Sequence, residues 1–183
     1  MVMYPSVTVS AVLTAPAQTL FDIVSDVTRH PELAGSREVQ QVELVSSPPL
    51  RVGSHFRSWQ RIGMMRYRTR SFVQIYEPPL KFSWLSGLGF RRPPFGQLWG
   101  FEFEPLGDGS STLVMHSMAV PVPFLPIPPF MAIADRGARH EADNMRPTLT
   151  NLAHMAAARI VGEVRVVLAP CPSQQALLRQ SRA

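Results

Sequence analysis

Few residues of this 183-residue chain are spaced for chemistry. Its five histidines, His30, His55, His116, His140 and His154, are scattered. His140 is followed directly by Glu141, but no second histidine completes an H-E-x-x-H helix, so the pair does not read as a zinc site. Cys171 stands alone, which excludes an internal disulfide and a thiolate metal cluster. No G-x-S-x-G nucleophile elbow occurs. "SGLGF" at 86–90 lacks the spacing and the lysine of a phosphate loop. The expectation is therefore no metal and no cofactor.

His116 is the histidine best placed for acid–base work. It falls mid-strand in "TLVMHSM", where alternation sets Val114, His116 and Met118 on one face. A neutral imidazole there can exchange a proton with a bound substrate. The competing role is a hydrogen bond within the sheet. The aromatic residues form a second pattern. Trp99, Phe101 and Phe103 alternate on one strand, Phe82 and Trp84 on another, with Tyr67 and Tyr76 nearby. Such a surface suits a flat hydrophobic molecule or a filled core. Met115, Met118, Met131, Met145 and Met155 would give either one an adaptable packing partner.

Arginine makes the third pattern. The formal charge is +5, and Lys81 is the single lysine among 18 basic residues. That bias reads as the codon usage of a GC-rich, bacterial genome. Arg57 and Arg61 alternate on one arm of a hairpin, and Arg66, Arg68 and Arg70 on the other. The opposite face of the second arm carries Met65, Tyr67, Thr69, Val73 and Ile75, which reads as core. The arginines are thus expected on an outer, solvated face. With no aromatic interleaving seen among them, no nucleic-acid partner is expected. Reversed parity would instead bring Arg68 or Arg70 into a pocket, where it would hold a carboxylate or enolate.

The elements that must position these residues follow from periodicity. Apolar residues make up 45% and charged residues 17%, which fits one globular domain with a real core. No run of about 18 apolar residues occurs, and the start lacks a basic region ahead of an apolar stretch. A cytoplasmic protein is expected. "SVTVSAVLT" at 6–14 alternates as a strand. "APAQTLFDIVSDV" puts Leu20, Ile23, Val24 and Val27 on one helical face, and "RHPELAG" reads as a further short turn. Six strands follow, separated by Gly and Pro turns, making seven in all. Residues 132–158 read as a long helix, which Pro147 is expected to kink or divide. An antiparallel sheet beside one long helix buries one face against it. Residues 159–183 are expected to prolong the helix or form a partly disordered extension.

Several strings resemble the superfamily of START lipid-transfer domains, polyketide cyclases and birch-pollen-allergen proteins (SRPBCC). They are "APAQTLFDIVSDVTRHPEL" at 15–33, "VGSHFR" at 52–57, "FEFEPLGDGSSTLVMH" at 101–116 and "TNLAH" at 150–154. The resemblance implies an α+β helix-grip fold. A curved seven-stranded antiparallel sheet would wrap around the long C-terminal helix, with two short helices after the first strand. The domain would span 1–158. Its cavity would take a hydrophobic small molecule, either as a polyketide cyclase/dehydratase-like enzyme of secondary metabolism or as a lipid or quinone carrier or sensor. His116 and Tyr67 are the candidate catalytic residues. Phe82, Trp84, Trp99, Phe101, Phe103, Met118, Phe124, Phe130, Met145 and Leu149 are the candidate ligand-binding ones. The protein would be a monomer or homodimer. The proline-rich "AVPVPFLPIPPFM" at 119–131 would join the last strand to the helix. There Phe124, Leu125, Ile127 and Phe130 would pack over the helix start or cavity rim, or touch a membrane transiently during ligand exchange.

Overall fold

The computed structural model describes the backbone of residues 5–87, 96–119 and 128–170, and the side chains of 6–87, 96–119 and 140–168. Strand β1 (Pro5–Leu13) turns Val7, Val9, Ala11 and Leu13 inward, all at most 2% exposed. Helix α1 (Ala17–Ser25) starts after Pro16 and buries Ala17, Leu20, Phe21, Ile23 and Val24. The Asp26 side chain accepts from the Thr28 amide and caps a 3-10 turn over Val27–Arg29. Helix α2 (His30–Leu33) follows with Pro31 in its first turn, where a missing N–H costs nothing.

The meander comprises β2 (Val39–Leu44), β3 (His55–Ile62), β4 (Met65–Glu77), β5 (Lys81–Gly87), β6 (Gln97–Leu106) and β7 (Ser111–Ala119). Neighbours pair antiparallel throughout, and β1 closes onto β7. Helix α3 (Pro128–Met155) packs on β1, β7, α1 and α2.

The sheet has eight strands rather than seven. Residues expected to prolong the helix or hang loose form β8 (Ile160–Pro170), which pairs antiparallel with the free edge of β1. The order is β2-β3-β4-β5-β6-β7-β1-β8, so the sheet runs past residue 158. Ala157, at φ 51°, ends the helix in the left-handed region, and the Ala158 amide donates back to the Ala153 carbonyl. Ile160, Val164 and Val166 then pack against the core. Pairing an exposed edge removes a row of unpaired backbone groups, which outweighs the weak local signal of this segment.

Two further expectations change. Helix α3 passes through Pro147 without dividing. The chain closes tightly there: the Gly35 amide donates to Thr148 Oγ1 at 2.9 Å, and a Cβ on Gly35 would stand 2.6 Å from the Thr148 nitrogen and 2.7 Å from Pro147 Cβ. Only glycine permits that approach. In β4 a register shift between Val73 and Ile75 reverses the alternation. Tyr76, rather than Ile75, joins the core beside Phe21 and Phe82.

Candidate functional site

Between the concave sheet and the helices lies a cavity of about 810 Å³, within the usual range for small-molecule sites. Its walls come mostly from alternate residues of four strands, with Val39 of β2 and His116 of β7 beside them. β3 supplies Phe56, Ser58, Gln60 and Ile62, and β4 supplies Met65, Tyr67, Thr69 and Ser71. β5 gives Trp84 and Ser86, and β6 gives Gln97, Trp99 and Phe101. Helix α2 and the segment after it contribute His30, Leu33 and Glu38; α3 contributes His140, Glu141, Asn144, Met145 and Thr148.

One wall is a run of flat rings. Phe101 stacks on His116 with centroids 4.0 Å apart and planes 8° apart. Trp99 stacks on His116 from further along, at 5.7 Å. Trp84 lies 6.3 Å from Phe101, and His30 lies 5.1 Å from Trp84.

Both histidines in this run are tied to backbone carbonyls. His116 Nδ1 donates to the Gly100 oxygen at 3.0 Å, and His30 Nε2 donates to the Val24 oxygen at 2.8 Å. A carbonyl only accepts, so these bonds place the proton of each neutral ring. His116 keeps its lone pair on Nε2 and His30 on Nδ1. Burial lowers the pKa of both, that of His116 to about 4, so His116 is uncharged at neutral pH. The sheet hydrogen bond and the cavity position, competing roles in the sequence, hold together for His116.

The facing wall is polar. Tyr67 Oη donates to Gln60 Oε1 at 2.8 Å, and Gln60 Nε2 donates to Thr69 Oγ1 at 3.0 Å. Burial raises the pKa of Tyr67, and the Glu38 and Glu141 carboxylates raise it further. Glu38 and Glu141 are themselves pushed up, chiefly by burial. Asn144 Nδ2 donates to Glu141 Oε2 at 3.5 Å, and His140 draws both carboxyls back down. This end of the cavity thus carries two carboxyls and a phenol whose protonated forms are favoured over those in water.

The structure brings Tyr67, Trp84, Trp99, Phe101, His116 and Met145 to the cavity wall. It sets Phe82, Phe103, Met118 and Leu149 in filled core, each at most 3% exposed. Phe82 and Phe103 turn to the edge of Phe21 at 6.4 and 6.1 Å. They lie outside the lining of this cavity, where α1 packs on the sheet. Phe124 and the side chain of Phe130 lie outside the described residues, as does most of the proline-rich stretch. Glu38 and Gln60 were not singled out by sequence, and His30 and Glu141 were weighed there only as metal ligands. Gln60 carried a signal: if Arg57 and Arg61 face outward, Phe56, Ser58 and Gln60 face inward. His30 carried none, since its direction depends on how α2 docks.

Arg66 and Arg68 are exposed, on the convex side, as expected. That face is not free of aromatics, however. Trp59 stands between Arg57 and Arg61, and Arg68 lies over its ring at 5.5 Å. Among the described residues no group of three or more His, Cys, Asp or Glu is placed to hold a metal ion. No helix among them is long and apolar enough to cross a membrane.

No family model matches the chain. An uncharacterized protein of Mycobacterium tuberculosis is 37% identical over 97 residues, which cover 53% of this chain and 40% of that protein. The chain thus matches less than half the length of this relative. Among solved structures, the di-domain ARO/CYC BexL of the BE-7585A biosynthetic pathway superposes with a TM-score of 0.62 at 19% identity. That match covers 83% of this chain and 46% of BexL. A Thermus thermophilus protein superposes with a TM-score of 0.59 at 18% identity, over 83% of this chain and 97% of its own. A START superfamily protein of Mycobacterium smegmatis gives 0.54 at 22% identity, over 82% and 93% of the two chains. With its antiparallel sheet, paired short helices and long closing helix, the chain has the helix-grip fold, the fold seen in the START superfamily protein it superposes on.

Proposed function

We propose that this protein binds a flat, oxygenated hydrophobic molecule in the cavity and promotes a proton-transfer reaction on it, of the cyclisation or dehydration kind. The observation that carries the reading is the division of the cavity into a ring-lined wall and a polar wall. The rings give a planar molecule stacking area. A passive carrier of plain hydrocarbon would set the Tyr67–Gln60–Thr69 hydrogen-bond chain against apolar surface and leave its remaining donors and acceptors unused. Hydroxyl and carbonyl groups on the ligand would meet them instead.

Roles divide by pKa. His116, uncharged at neutral pH, is a poor general acid but a ready acceptor at Nε2 for a ligand hydroxyl. Glu38 and Glu141, raised above ordinary carboxyls, are better matched to exchange protons near neutrality. Holding a reactive chain folded between the two walls supplies the rest of the rate through orientation. One structure it superposes on bears on this reading: BexL is named as a di-domain ARO/CYC of a biosynthetic pathway.

Carriage or sensing of a lipid or quinone is the rival reading. Native mass spectrometry of protein purified from its source separates the two. An unmodified lipid or quinone, recovered bound, argues for carriage. An oxygenated aromatic precursor that the protein converts argues for turnover. With a converted substrate in hand, Glu141→Gln is expected to lower kcat, while His116→Ala mainly raises KM. Unchanged kinetics in both variants would remove these roles.

A further inference from the structure

The tip of the β3–β4 hairpin gathers exposed apolar side chains. Gly63, at φ 57°, turns the chain, and every residue from Arg61 to Arg66 is exposed. Three of the six are large and apolar: Ile62 is 45% exposed, Met65 59% and Met64 99%. Ile62 and Met65 pair directly across the strands, and both border the cavity. On the other face of the same hairpin Arg61 pairs across from Arg66. Like charges directly opposite weaken a strand pair, so folding alone does not favour this arrangement. Arg61 Nε donates to the Gly63 carbonyl at 2.8 Å, which holds that guanidinium over the turn.

We infer that this tip docks on an anionic lipid bilayer. Met64, Ile62 and Met65 enter the headgroup boundary, and Arg61 and Arg66 meet lipid phosphates from the convex side. An apolar apex behind a cationic collar suits an interface that is apolar inside and negative at its surface. A nucleic acid would use the arginines but offers nothing to an apolar apex. The chain's formal charge of +5 adds long-range attraction to the same surface. Since Ile62 and Met65 also border the cavity, docking sets the cavity mouth against the bilayer. The use of that contact to load or release a ligand rests on the function proposed above; the docking itself does not.

The experiment compares sedimentation of the full chain with vesicles of phosphatidylcholine alone and of phosphatidylcholine mixed with phosphatidylglycerol. Wild-type protein is expected to bind the mixed vesicles, and to release as salt screens the arginines. Met64→Asp and the pair Arg61→Gln with Arg66→Gln are each expected to weaken that binding by about tenfold or more. Absence of wild-type binding at low salt, or unchanged binding by Met64→Asp, overturns the proposal. Nile red, a neutral dye, reports on the cavity separately. If Met64→Asp keeps Nile red affinity and loses vesicles, the tip is the docking element. If it loses both, the defect lies in the fold or the cavity and docking is refuted. If wild type takes up Nile red but ignores vesicles, docking fails while the cavity reading stands.

Discussion

The concave face of the sheet has two ends, built by the same strands and filled in opposite ways. At one end Phe21 of α1 meets Tyr76, Phe82 and Phe103 edge-on, with centroids 5.4 to 6.4 Å apart, and the three phenylalanines are at most 3% exposed. At the other end the same strands present Ser58, Gln60, Thr69, Ser71 and Ser86, and a cavity of about 810 Å³ opens. Along β4 the inward residues pass from Tyr67, Thr69 and Ser71 to Val73 and Tyr76; along β5 they pass from Ser86 to Trp84 and Phe82. The change is one of volume as much as polarity. Ser58, Thr69, Ser71 and Ser86 are small side chains on the cavity wall, whereas Phe82 and Phe103 pack on Phe21 of α1. One end therefore supplies the stability, and the other end is free to hold a ligand.

The largest expected effect tests the filled end. Phe82→Ala removes a side chain with no exposed surface and should cost about 3–5 kcal/mol in chemical denaturation. A loss below about 1 kcal/mol would mean that this end is no better packed than the cavity.

Next in size is a pH effect at the open end. The His116 pKa is about 4 in the fold, against 6.5 for a histidine free in solution or in the unfolded chain. Between those values the unfolded chain binds a proton that the folded chain refuses. Stability should therefore fall as pH drops from about 6.5 to about 4, by about 3 kcal/mol at full extent, and then level off. His30, lowered by burial as well, acts in the same direction. Denaturation curves across this range should be shallower for His116→Leu. An equally steep acid limb in that variant would show that other groups carry it.

A smaller loss is expected where α3 closes over the cavity. Gly35→Ala would drive a methyl group into the backbone of α3 near Thr148 and should cost about 1–3 kcal/mol. Unaltered thermal stability would mean that α3 yields easily at Pro147.

The smallest effect sharpens the contrast most. Ser71→Leu adds volume where space is empty, so stability should change by less than about 1 kcal/mol, while Nile red binding falls as the cavity shrinks. A large destabilisation would show that the open end is packed as tightly as the filled one.

How much of this was legible varies with the range of the interaction. The Val7-Val9-Ala11-Leu13 alternation marked β1 because period two is local. The outward arginines followed from the parity of Tyr67 and Thr69 in the same way. Tyr76 was harder, since the shift after Val73 resets parity by one residue and only the partner strand reveals it. β8 was missed because its pattern is weak and its stability comes from the edge of β1, about 150 residues away in sequence. The aromatic residues were visible as a set, but their division into wall and core was not. Phe82 and Trp84 have the same type and parity; α1 covers the first and leaves the second open.

The sequence by itself determined the order of elements as far as α3, the inward face of the strands away from the β4 register shift, and the supply of rings and hydroxyls along those faces, because each depends on neighbours one to four residues apart. The tertiary structure alone decided where the rings close up and where the hydroxyls leave a gap. It also decided which carbonyl fixes the proton on His116, and that Glu38 and Glu141 share one cavity. Those outcomes depend on how α1, α2 and α3 dock across the sheet, and docking depends on shape matched between segments far apart in the chain.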